Sequence, residues 1–267
     1  MKHLATFVGL LSLAVASQAR AVDERYPPYE AAPALAGTVA AAVDPENERL
    51  MLLWREGFAA RHPDMRVAPL DASASDALTA RAAVEALGVF IHKDNPLTCL
   101  PLEDLAALFA GGATWGAAGQ EGDWASRPVV VFDRPPGGER DFFVAAGLKG
   151  NAMAAEAKRV ARASILMREI GAEPGAIGYA PAGYRSDAVR ALHLSTGGDC
   201  VAPNEASVHR AAWPLARIVG VAASGPAARN FISYVLSQEG QRDAVIAGYF
   251  ALPWVFAVED RQALGLD

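Results

Sequence analysis

The chain has 267 residues, with 24 Lys and Arg against 30 Asp and Glu, a formal charge of −6 and 52% hydrophobic residues. An acidic chain without a basic tract excludes attachment to nucleic acid, because binding to a phosphate backbone needs clustered Lys and Arg. The length suits one large domain or two lobes of roughly 100 to 150 residues each.

Residues 1–21 combine a basic start (Lys2, His3), the 13 residues from Leu4 to Ala16, largely apolar, and Ala19-Arg20-Ala21. That order fits an export signal with small-x-small cleavage near Ala21. The apolar stretch falls short of the roughly 20 residues of a spanning helix, so no membrane span is expected after cleavage and the protein is placed in the periplasm. Loss of Lys2 and Arg20 leaves 22 basic and 30 acidic residues, a formal charge of −8. The next segment, 22–36, is rich in Ala and Pro and reads as a disordered or loosely docked arm.

Gly37 to Val43 is a β-run, followed by Asp44 as a helix N-cap candidate with Pro45 at the first helical position. The helix then places Leu50, Leu53, Trp54 and Phe58 on one face and stops near His62-Pro63. Met65 to Leu70 reads as a second strand. Asp71 to Glu85 is polar and alanine-rich with a helical tendency from Asp76. A strand at Leu87–His92 ends in a polar turn with Pro96, and a leucine-rich helix starts at Leu102, so the chain leaves one unit and enters another.

A Gly-rich loop passes through Trp115 and Gly119 to the strongest β-run, Val129 to Phe132. The loop Asp133 to Arg140 leads into a helix carrying Phe142, Phe143 and Leu148, and a second helical stretch is expected over Ala152 to Ile170. Pro174 to Gly183 turns into a short strand, and Val189 to Leu194 is another. Trp213 to Arg217 leads into Ile218–Ala222, the return crossing. Ile232 to Pro253 reads as a helix, a break at Gly240 and a further helical turn. Alternating strands and helices with two crossings give an α/β fold of two lobes joined by a hinge around a cleft.

Several segments carry a family resemblance: GVFIHKDNPL at Gly88–Leu97 with LEDLAALF at Leu102–Phe109, WREGFAARHPDMRV at Trp54–Val67, and SQEGQ and GYFALP in the C-terminal stretch. In this order the chain resembles the phosphate-binding proteins of ABC importers. The resemblance implies a two-lobed periplasmic binding protein fold of type 2, with residues 37–92 plus 213–267 in one lobe and 93–212 in the other. It implies a small anion such as phosphate as ligand, and an ABC permease or other periplasmic protein as partner. It implies no cofactor. Trp54 and Tyr179 are assigned to core packing.

Members of this family hold phosphate with N–H groups at helix N-termini, Ser and Thr hydroxyls, an Arg, and an Asp that accepts the ligand's proton; helix N-termini suit an anion because their N–H groups are unpaired. Where the first loop of the family reads Gly-Ser-x-Thr, this chain has Val43, Asp44, Pro45 and Glu46. Where the second runs Arg, then Ser-Gly-Thr, it has Arg134, then Gly137, Gly138 and Glu139. A carboxylate about 5 Å from a phosphate charge costs roughly 3 kcal/mol at an effective dielectric near 20. The segment between Val67 and Leu87 is also short, and of Asp71, Ser73, Ser75 and Asp76 none takes a family role.

Three readings follow. In the first, the cleft takes phosphate or a related oxyanion through Arg134 and the backbone of Gly137 and Gly138, with Asp44, Glu46 and Glu139 turned outward. In the second, the fold persists as an interaction or regulatory module, or binds a cation through Asp44, Glu46 and Glu139. The third, an enzyme, has no support: HExxH, GxSxG and GxxxxGK[ST] are absent, and no nucleophile with a base can be named. No catalytic or metal-ligating residue is assigned, and His92 is read as structural. Cys99 and Cys200, in an oxidising compartment, are expected to form a disulfide, with two buried thiols as the alternative.

Overall fold

The computed structural model describes residues 22–71 and 73–266; the export segment 1–21 lies outside them. The chain opens with β1 (Gly37–Ala42), a 3-10 turn (Pro45–Asn47), α1 (Glu48–Arg61) and β2 (Met65–Pro69), which pairs parallel with β1. Leu50, Trp54 and Phe58 form the buried stripe of α1, as their spacing predicts.

The next strand, β3 (Leu78–His92), organises the molecule. From Ala80 on it is buried almost continuously, the pattern of a strand covered on both faces. The helical tendency read from Asp76 onward is therefore overturned. Its small alanines fit between the neighbouring strands and the helices above them, and that tertiary setting overrides intrinsic propensity.

Beyond β3 come β4 (Cys99–Pro101), α2 (Leu102–Phe109), β5 (Val130–Asp133), α3 (Gly138–Phe142) running into a π-helical turn over Phe143–Gly147, and β6 (Lys158–Arg159). Then follow α4 (Ala163–Ala172), β7 (Ala176–Pro181), β8 (Val189–Ala191), β9 (His193–Ser195) and α5 (Glu205–His209). The chain returns through β10 (Ala216–Ser224), α6 (Ala228–Val235), α7 (Gln238–Ala247), β11 (Phe250–Ala251) and α8 (Trp254–Leu264). The main sheet has the order β2-β1-β10-β3-β7-β5-β6, with β11 and β8 also paired to β3.

Along β3 the partners change. Leu78 to Ala86 pair with β10, and Leu87 to Ile91 pair with β7. The return crossing lies alongside: Leu87 N–H donates to Leu215 O at 2.9 Å, and Trp213 Nε1 donates to Leu87 O at 2.8 Å. One core cluster runs through both halves, from Val39, Trp54 and Ala82 to Leu105, Phe143, Tyr179 and Leu194. A second, smaller cluster packs Phe90 and Phe132 against Leu166, Met167 and Ile170 of α4.

Four further expectations are corrected. The arm is not loose: Tyr26 is buried, its hydroxyl donates to Leu252 O at 2.6 Å, and its ring meets Trp254 edge-on with centroids 5.0 Å apart. Tyr29 N–H donates to Glu239 at 2.8 Å. Asp44 makes no side-chain cap bond to the turn that follows it. The helix expected over Ala152 to Ile170 starts only at Ala163, because the preceding residues pair with β5 and because the Val160 and Ala161 carbonyls accept from Arg134. The C-terminal break falls at Leu236 and Ser237, not at Gly240. Ser237 Oγ caps α7 by accepting from Gly240 N–H at 3.3 Å, and a Cβ on Gly240 would run into the Tyr234 carbonyl oxygen. Helix α8 had no counterpart in the sequence reading.

Cys99 and Cys200 form a disulfide with their Cα atoms 5.9 Å apart. It ties β4, which pairs with β9, to the segment after β9.

Candidate functional site

The site is built on the end of β5. Asp133 is almost fully buried, and its carboxylate accepts from Tyr179 Oη at 2.7 Å, Arg134 N–H at 2.8 Å and Arg140 Nε at 2.9 Å. Tyr179 comes from β7 and stacks on Phe143, with ring centroids 3.8 Å apart. Burial, and then the Asp133 carboxylate, push the Tyr179 hydroxyl well above the ordinary tyrosine value, so it stays a neutral donor. These contacts hold the backbone at Arg134.

The Arg134 guanidinium is satisfied within the protein. Nε donates to Glu139 Oε1 at 2.8 Å and Nη2 to Glu139 Oε2 at 3.3 Å, while Nη1 donates to Val160 O at 3.0 Å and Ala161 O at 2.7 Å. Glu139 is thus turned inward, against the reading that would face it to solvent. Its carboxyl is pushed above the usual carboxylate value by burial, against the opposing pull of Arg134 and Arg217.

Arg134 and Glu139 open on a cavity of about 400 Å³. It is also lined by Arg49 of α1, Glu85 and Ala86 of β3, Ala247 to Tyr249 at the end of α7, and Ala161 to Ser164 at the start of α4. At roughly 30 Å³ per water, that volume holds a small ion with several of its hydrating waters. The N-cap of α4, Arg162, makes no side-chain cap bond, so the helix brings its positive end and a guanidinium to the cavity. Glu85 is paired with Arg217 at 2.5 Å, and that guanidinium lies 4.7 Å from the Phe142 ring centroid. The arrangement draws its walls from both halves of the sheet.

The residues expected at the site are only partly gathered. Arg134 and Glu139 are joined; Gly137, with φ +148 in the region that favours glycine, and Gly138 shape the turn into α3 but do not line the cavity. Asp44 is exposed and borders a separate cavity of about 370 Å³ with Glu48 and Arg55, while Glu46 lies in the 3-10 turn. Asp44 and Glu139 therefore line different cavities, and among the described residues no three His, Cys, Asp or Glu gather as metal ligands. Sequence reading missed Asp133, Arg49 and Arg162. Asp133 could have been singled out by its place directly before Arg134 at the end of the strongest β-run; the two arginines carry no motif. Trp54, with Nε1 donating to Gly240 O at 2.8 Å, and Tyr179 are core residues, as read. His92 Nδ1 accepts from Asp94 N–H at 3.1 Å, a local turn contact.

A cleft between two α/β halves linked by a long shared strand defines the class: a two-lobed periplasmic binding protein fold. No family model matches the chain. It is 27% identical to the phosphate-binding protein PstS of Pseudomonas aeruginosa over 315 residues, covering 98% of this chain and 97% of that protein. The alignment is longer than the chain, so the relative carries segments that this chain lacks. Among solved structures, a possible phosphate binding protein from Planctomyces limnophilus superposes with a TM-score of 0.67 at 17% identity, covering 86% of this chain and 98% of the other. An ABC-type phosphate transport receptor from Vibrio cholerae gives 0.65 at 18% identity, with 78% and 96% covered. The chain is thus PstS-like in sequence across nearly its full length, and it shares the fold of these receptors. Among the described residues no helix is long and apolar enough to cross a membrane.

Proposed function

We propose that this chain is a periplasmic solute-binding protein of the phosphate-importer type, exported by residues 1–21 with cleavage near Ala21, and that it takes phosphate or a related oxyanion in the cleft beside Arg134. The observation that carries this reading is the convergence of Arg49, Arg134 and Arg162 with the uncapped start of α4 on one cavity. A planar guanidinium and helix N–H groups are the donors suited to a tetrahedral oxyanion. The likeness to PstS supports the same ligand class. Residues 37–92 with 213–267 and residues 93–212 would form the two lobes, and an ABC permease would receive the loaded protein. The role is binding and delivery, not catalysis.

One observation favours a second reading. Glu139 already neutralises Arg134, so the cleft would suit a different ligand or a protein partner if that pair never opens. Isothermal titration of the chain from Val22 with phosphate at near-neutral pH separates the two. Heat of binding that Arg134→Ala abolishes supports the oxyanion; no heat at millimolar phosphate favours the second reading.

A further inference from the structure

Five N–H groups leave a guanidinium in a fixed fork. Four of those on Arg134 are engaged: one edge by both oxygens of Glu139, and both Nη1 hydrogens by the Val160 and Ala161 carbonyls. A single Nη2 hydrogen remains for a ligand. The edge held by Glu139 is the bidentate face that would otherwise receive an oxyanion, because carboxylate and phosphate oxygens fit it alike. Glu139 also lines the cavity itself, so it has open volume into which to swing.

Resting on the oxyanion reading above, we propose that the Glu139 carboxylate is a resident counter-anion: it occupies the ligand face of Arg134 and has to be protonated or displaced before an oxyanion binds. Glu139 then determines affinity, and the cleft is gated by pH. The charged and titratable groups around it are Arg134, Asp133 from β5 with its partner Arg140, Arg217 from β10, Glu85 from β3, Arg49 from α1, Arg162 at α4, and Tyr179, Tyr184 and Tyr249. Arginine and tyrosine do not ordinarily change charge between about pH 5 and 8. The other carboxylates nearby are Glu85, ion-paired with Arg217, and Asp133, which accepts from Tyr179, Arg134 and Arg140. Burial raises the Glu139 carboxyl above its ordinary value, which brings its protonation toward mildly acidic pH. As pH falls, the fork is vacated and the anion should bind more tightly.

Two titrations test this on the chain from Val22. Sulfate keeps its charge across this range, so its affinity is measured at about pH 5 and about pH 8 for the native protein and for Glu139→Gln. Phosphate is then compared between the two proteins at about pH 8. The native protein should bind sulfate more tightly at the lower pH, and Glu139→Gln should bind phosphate at least about tenfold more tightly than the native protein and lose the pH slope. The native pH profile needs no variant, and Glu139→Ser provides a second substitution if Gln misfolds. Phosphate binding with no slope and no gain in Glu139→Gln overturns the counter-anion while leaving the oxyanion reading intact. A slope that persists in Glu139→Gln assigns the titration to another group and also overturns it. Failure of every protein to bind either anion at millimolar concentration removes the oxyanion reading and the counter-anion together.

Discussion

Asp133 is the residue on which the site loop rests. It is nearly sealed from water yet accepts from three donors supplied by three places: the Tyr179 hydroxyl, the Arg134 amide and the Arg140 guanidinium. Desolvating a carboxylate is tolerable only when its lone pairs are filled in this way. Asp133→Asn keeps the volume but places an amide where an acceptor is needed, and leaves Arg140 without its partner. Arg140 is partly exposed, which discounts the loss, so the substitution should cost about 2 to 4 kcal/mol of stability, read as a lowered denaturant midpoint. If Asp133 also aims Arg134, phosphate titration of the folded fraction should weaken as well, whereas a role in stability alone would leave that affinity untouched. The sequence placed Arg134 and Glu139 side by side without revealing their pairing. A five-residue separation does not say whether two side chains meet across the turn that Gly137, at φ +148, helps to form.

At the scale of elements, legibility followed local information. Helix α2 was read with its bounds intact, since its leucine spacing is a local pattern and the segment packs as that pattern demands. The start of β3 was misread because alanine-rich sequence favours helix in isolation, while burial between β10 and the helices decides otherwise. Residues 152–162 were misread for a similar reason, as their backbone pairs with β5 and serves Arg134. The arm makes the contrast measurable. Composition marks it as loosely attached, yet the Tyr26 ring is enclosed against Trp254 and its hydroxyl bonded to the Leu252 carbonyl. A loose arm would tolerate Tyr26→Ala within about 0.5 kcal/mol. The docked arm requires a loss of about 3 kcal/mol, as for other large aromatic truncations in a core, with Tyr26→Phe costing about 1 kcal/mol for the hydroxyl alone. Urea unfolding of the two variants decides between these figures.

For the whole molecule, the question is whether the two halves of the sheet stand or fall together. A domain pair joined by thin linkers would unfold in two steps, each with its own core. Here β3 is a single strand shared by both halves, the return crossing is hydrogen-bonded beside it at Leu87, and one core cluster runs from Val39 to Leu194. The disulfide probes this coupling, because Cys99 and Cys200 both lie beyond the partner change on β3 and constrain that half alone. Reducing a link that closes a loop of 101 residues removes up to about 4.7 kcal/mol on the chain-entropy account. For a chain of this size each kcal/mol moves the midpoint by roughly 2 to 4 °C, so the full loss would lower Tm by roughly 9 to 19 °C. Calorimetry with and without reductant should show that shift as one displaced transition, because a continuous strand and core pass the loss to the whole molecule. A second, lower transition with the original one left in place would mean that β3 bends as a hinge without coupling the stabilities of the halves, and that the cleft joins two independent folding units.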